Sequence, residues 1–137
     1  MTHTAARGAA TSPALVVALR VTAVLTVAVL AWQFATAGMI VEGGRGAEAA
    51  EELHATGAIV LHVLSGLTMV SAALLWRAGA AIWPMLVAAL VFALSFLQAY
   101  LGSHGPISVH VPGALVLTLG AVLVAAWSFT RGAGGGR

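Results

Sequence analysis

An all-α integral membrane protein with four spans is the fold class this sequence predicts, and three observations carry it. Hydrophobic residues make up 61% of the 137-residue chain and charged ones only 7%, with a mean hydropathy of +1.02. A water-soluble domain carries about 25% charged residues, so a soluble enzyme is excluded. Four apolar stretches, 21–41, 54–76, 81–101 and 107–129, each reach the roughly 20 residues that a spanning helix needs. The segments between them, 42–53, 77–80 and 102–106, are short. Short connections predict antiparallel neighbours and hence an up-down-up-down four-helix bundle. The whole chain, 1–137, reads as a single membrane domain, with tails 1–11 and 132–137 that are small, polar or glycine-rich and expected to be mobile.

Span 1 extends back to Pro13, which suits a first helical turn behind Ser12, giving 13–41. Arg20 then lies about one turn into the inner leaflet and snorkels to the headgroups. The basic start, the apolar run 21–31 and Ala35-Thr36-Ala37 imitate a cleavable signal. The apolar run continues through Val41, however, and predicts a retained span. Ahead of span 2, the Ala- and Glu-rich segment 48–52 favours an early helix start, where glutamate suits the positive helix end. Span 3 runs into Gly102-Ser-His-Gly-Pro106, a turn signature that puts His104 in a loop. In span 4, Pro112 follows His110 by two residues, a place that a helix start tolerates, and sets His110 at the membrane edge.

Arginine placement predicts the orientation. Arg7, Arg20, Arg77, Arg131 and Arg137 fall on one side, whereas Arg45 stands alone on the other amid Glu42, Glu48, Glu51 and Glu52. Cytoplasmic loops are enriched in Lys and Arg, so both termini are expected in the cytoplasm, with the protein multi-pass in the inner (cytoplasmic) membrane. Trp76, Trp83 and Trp127 lie near that same face, as an aromatic belt does. The net charge of +2 forms no basic patch, which argues against nucleic acid. Cysteine is absent, which excludes disulfides, thiolate metal sites and thiol catalysis. The lipid bilayer is the first partner; electron transfer would add a redox partner or a larger membrane complex.

Polar residues inside a bundle are candidates for function. Apart from His3 in the tail, the histidines are His54, His62, His104 and His110, all in the outer half or the outer loop. Gln33 in span 1 and Gln98 in span 3 belong to the same half, so every span sends a strong polar group to one end. Below His54 the helical face reads Gly57, Ala58, Leu61, Ser65, Thr68 and Ala72; below His110 it reads Gly113, Ala114, Leu117, Gly120 and Ala121. Two histidines at matched depth above small-residue stripes suit bis-histidine ligation of haem b, with Gln33 and Gln98 available to propionates or ordered water. The bland alternative is a pair of interfacial histidines bonded to headgroups or water. Glu51, three residues before His54, either orients that ring by accepting its second proton or is an exposed cap. His62 lies about 80° round the helix and about 12 Å deeper than His54. It is open to three readings: an interior hydrogen-bonded group, a propionate or substrate contact, or a second ligand, with Gln33 the one evident partner at its depth. For His104 a solvated loop position is the expectation.

These residues resemble one four-helix half of haem A synthase. Glu51-Glu-Leu-His54 with Gly57 is similar to the Glu-x-x-His start of that family's second helix, and Ser108-Val-His110 is placed like the histidine opening its fourth. Phe96-Leu-Gln98-Ala-Tyr-Leu-Gly102 is similar to the end of its third helix, and Trp32-Gln33 to the end of its first. The likeness covers nearly the whole chain, and small four-span bacterial membrane proteins of uncharacterised function share the layout. It implies a haem-binding bundle with His54 and His110 as axial ligands. It does not imply a synthase: Ala55 stands where the family usually has arginine, a second half is missing, and so are the outer-loop cysteines of many bacterial members. Three functions follow: a small cytochrome b-like protein for electron transfer or haem handling, a minimal haem-modifying or quinone-linked oxidoreductase, and a cofactor-free accessory or scaffold subunit.

Overall fold

Pro13 does open the first helix. The computed structural model describes residues 12–130 and Ala133, among which are four α-helices: α1 (Pro13–Glu42), α2 (Ala47–Arg77), α3 (Trp83–His104) and α4 (Ile107–Ser128). All four are long and apolar enough to cross a membrane, so the chain is built as a multi-pass membrane protein. His3, Arg7, Arg131 and Arg137, with the two expected tails except Ala133, lie outside the described residues.

Local chemistry explains the ends. Gly43, Gly44 and Gly46 adopt positive φ, a region that costs residues with a Cβ about 1–2 kcal/mol, and they turn the chain from α1 into α2. α2 starts at Ala47, seven residues before His54, with Glu48 in its first turn and Arg77 in its last, both favourable to the helix dipole. The early start foreseen from 48–52 is thus real, and the first connection shrinks to a glycine-rich turn. Pro84 sits in the first turn of α3. The 102–106 turn is shorter than expected, because α3 continues through His104, and Pro112 lies inside α4 rather than at its start. Since proline has no N–H, the Ser108 carbonyl is left without its helical donor.

The helices touch in a ring, α1 on α2, α2 on α3, α3 on α4 and α4 on α1. Val16, Leu19 and Ala23 from the first half of α1 pack with Ala72 and Leu75 of α2, Ala88 of α3, and Val124 and Ala125 of α4. A second cluster, Leu30, Leu61, Val91, Leu117 and Ala121, continues the core. Gly57, Leu61, Ser65, Thr68 and Ala72 are all buried, so the small-residue stripe of α2 is its inner face. Large apolar residues such as Ile59, Leu86, Val116 and Leu119 are exposed, as lipid-facing side chains are. Arg20, expected to reach the headgroups, is engaged by α4 instead. Its Nε donates to the Ser128 carbonyl at 2.9 Å and its guanidinium lies over the Phe129 ring, closing the last turn of α4, where cations are favoured.

Midway along, the buried hydroxyls of Thr26 and Thr68 meet at 3.1 Å across the α1–α2 seam. Each is also within reach of its own helix, Thr26 of the Thr22 carbonyl and Thr68 of the Leu64 carbonyl. Interhelical bonds of this kind average about 0.6 kcal/mol in membrane proteins. Thr26→Val should therefore destabilise the protein by roughly 0.6 kcal/mol in reversible unfolding from mixed micelles. No measurable loss would mean that the hydroxyls are held by their own backbones alone.

Candidate functional site at the histidine end

α1 and α2 build the first half of the site. Thr36, 2% exposed, stands one turn after Gln33, and its Oγ1 lies 2.9 Å from Nδ1 of His54. The same hydroxyl donates to the Trp32 and Gln33 carbonyls, both at 3.1 Å. A hydroxyl has one proton to give, so all these contacts are met together only when His54 carries its proton on Nδ1 and Thr36 accepts it. The lone pair of His54 is then on Nε2, which makes no hydrogen bond among the described residues. Glu51, read from its spacing as either an orienter of that ring or an exposed cap, is exposed, and Nδ1 is met by Thr36.

α3 and α4 build the second half. His110 is half-buried and lies within electrostatic range of His54. Its Nδ1 is buried without a partner among the described residues, as are Oε1 of Gln33 and Oε1 of Gln98. An orphaned buried polar atom costs about 1–3 kcal/mol and points to water, an ion or a ligand. All three orphans sit on residues singled out in the sequence, one from each of three helices. The glycines explain how so much polar volume fits. A Cβ at Gly113 would overlap the Gln98 amide, one at Gly102 would meet Cε1 of His110 at 3.0 Å, and one at Gly57 would meet Oε1 of Gln33 at 3.2 Å. The slots expected to receive a porphyrin beside Gly57 and Gly113 thus hold the ends of Gln33 and Gln98, which are flexible side chains. An open groove of about 280 Å³ runs along the α1–α2 seam beside Gly57, lined also by Trp32, Leu53 and Thr56.

Elsewhere, His62 has partners that sequence alone did not supply. Its Nδ1 lies 2.8 Å from Oγ of Ser95, and its ring stacks on Phe96 with centroids 4.1 Å apart. His104 ends α3 in the open, stacked on Tyr100.

The donor set limits the chemistry. Among the described residues no three His, Asp or Glu side chains gather into a metal-binding group. Two imidazoles are a poor cage for a bare cation, which takes three or four protein ligands. They suffice for an iron that arrives with four macrocycle nitrogens and needs only its axial positions filled. No family model, curated protein or solved structure matches this chain.

Proposed function

We propose that this is a haem-binding integral membrane protein of cytochrome b type, in which His54 and His110 are the axial ligands of one b-type haem, serving electron transfer or haem handling. The observation that carries the reading is the pairing of His54 with Thr36, which favours the proton on Nδ1 once Thr36 gives its own to the α1 backbone, and so leaves Nε2 available as a ligand. Metal-ligating histidines are held in this way by their other nitrogen. Bound haem supplies a one-electron iron centre. The residues of the chain do the rest: Thr36 holds His54, and the Gln33 and Gln98 amides, which lie against Gly57 and Gly113, would bond propionates or water. Leu30, Leu61 and Leu117 keep water out below. The full-length protein, expressed with haem supplied and purified, should show a low-spin six-coordinate spectrum at one haem per chain. A featureless visible spectrum would overturn the reading in favour of a cofactor-free subunit.

The reading includes an arrangement in the bilayer: up-down-up-down, both termini cytoplasmic, in the inner membrane. Support comes from the short connections and from Arg20 near the start of α1 bonding Ser128 at the end of α4. The arginine asymmetry supports the orientation. Reporter fusions should place the C-terminus in the cytoplasm and the Gly43–Gly46 turn outside; an outside C-terminus would reverse the assignment. A redox partner or larger complex would dock at whichever face the haem edge approaches.

A further inference from the structure

His62 lies fifteen residues from either end of α2. At 1.5 Å per residue that is about 22 Å from each end, and the hydrocarbon layer is about 30 Å thick, so His62 sits near the midplane. Its tautomer follows from its neighbours. Ser95 donates its hydroxyl proton to the Phe92 carbonyl at 2.6 Å and also lies 2.8 Å from Nδ1 of His62. Both contacts are satisfied together when Nδ1 carries the proton and Ser95 accepts it. The neutral ring then has its lone pair on Nε2, which makes no hydrogen bond among the described residues and is not among the enclosed orphan atoms. Beside it, Phe96 is 49% exposed, stacked on His62 and met edge-on by Phe92. An accessible acceptor with no water to serve it is costly in hydrocarbon, and an ionisable group at this depth marks a site.

We propose that the His62–Phe96 face of the α2–α3 seam binds a bilayer-dissolved hydroquinone, whose ring hydroxyl donates to Nε2 of His62 and whose ring lies against Phe96. Depth and polarity choose the ligand. Phospholipid and fatty-acid headgroups stay at the interface, about 15 Å from the midplane, whereas a hydroquinone on an apolar tail enters the interior and carries both a donor and a flat aromatic surface. The oxidised quinone has only acceptor oxygens and meets a lone pair at Nε2. The site therefore prefers the reduced form. This inference goes beyond the haem reading and does not depend on it.

The full-length protein in lipid nanodiscs, with its histidines ¹⁵N-labelled, would be titrated with a short-tailed hydroquinone, its quinone and its dimethyl ether. The expected result is saturable binding of the hydroquinone, at least about tenfold tighter than either analogue, with a shift in the His62 Nε2 resonance as it accepts a hydrogen bond. H62F keeps a ring against Phe96 but removes the acceptor, and should erase the preference; S95A, which frees the tautomer, should weaken it. Equal binding of all three probes by the parent protein, or no saturable binding, would overturn the proposal without recourse to a variant. So would a preference that persists in H62F. Cross-linking that finds His62 covered by a second copy of the chain, with hydroquinone failing to compete, would reassign the face to self-association.

Discussion

His54→Ala and His110→Ala should each eliminate low-spin six-coordinate haem, while His62→Ala leaves the spectrum in place. Either of the first two changes removes one axial ligand and leaves iron five-coordinate, which visible and paramagnetic resonance spectra distinguish without a binding constant. The effect is close to all-or-none, because among the described residues no third histidine is placed to substitute. His62 commits Nδ1 to Ser95 and its ring face to Phe96, and it faces the α2–α3 seam two turns further along α2. His104 is exposed at the end of α3, stacked on Tyr100. The rival pairing of His62 with His110 could keep both partners, since Nε2 stays open, but it would need α4 to sit about two turns deeper against α2. A low-spin spectrum that survives in His54→Ala or His110→Ala would sink the assignment, and its loss in His62→Ala would favour the rival.

The helices were legible because lipid makes the demand simple. Every spanning segment must be long, apolar and internally hydrogen-bonded, so hydropathy alone locates all four within a few residues at most ends. The end of α3 departed furthest, and at the start of α2 the apolar span and the helix begin at different residues, each for local reasons. Glu48, Glu51 and Glu52 lowered hydropathy without lowering helix propensity, so the span seemed to begin at His54 although the helix begins at Ala47. Gly102 and Ser103 read as a turn, yet α3 carries them, and Gly102 gives room there to the His110 ring. At the site, the strong polar residues stood out from an apolar background, which is why Gln33, His54, Gln98 and His110 were named. Their weaker partners did not. Thr36 and Ser95 are among many small hydroxyls that bond back to their own helix, as Thr22 and Thr118 also do, and periodicity cannot tell which of them also meets a histidine on the neighbouring helix. The glycine slots were legible as gaps but not by occupant: a gap in a helix face suits a cofactor or a neighbouring side chain equally, and here Gln33 and Gln98 reach it first.

Thr36→Val should lower haem affinity by about 10–100-fold, the usual cost of losing a partner that orients a metal-ligating histidine, while Thr36→Ser keeps parental affinity. Valine matches threonine in shape, so α1 and its packing survive; what disappears is the acceptor for Nδ1–H of His54. Without it the imidazole rotates and exchanges tautomers, and its Nε2 lone pair is no longer presented in a fixed direction. The ligand also becomes a weaker donor to iron, since a hydrogen bond at Nδ1 raises imidazole basicity, so the midpoint potential should move along with the affinity. Glu51 provides the comparison. It lies three residues before His54 on α2 and suits the same role by spacing, but it is exposed and the ring nitrogen is engaged by Thr36. Glu51→Gln should consequently leave affinity and midpoint potential near parental values, since a solvated carboxylate at a helix start contributes only about 0.3–1 kcal/mol to the dipole. Haem titration of the three variants beside the parent separates the two orienters. If Glu51→Gln weakens binding as much as Thr36→Val does, the carboxylate reaches His54 in the haem-bound protein and Thr36 is its stand-in only when haem is absent.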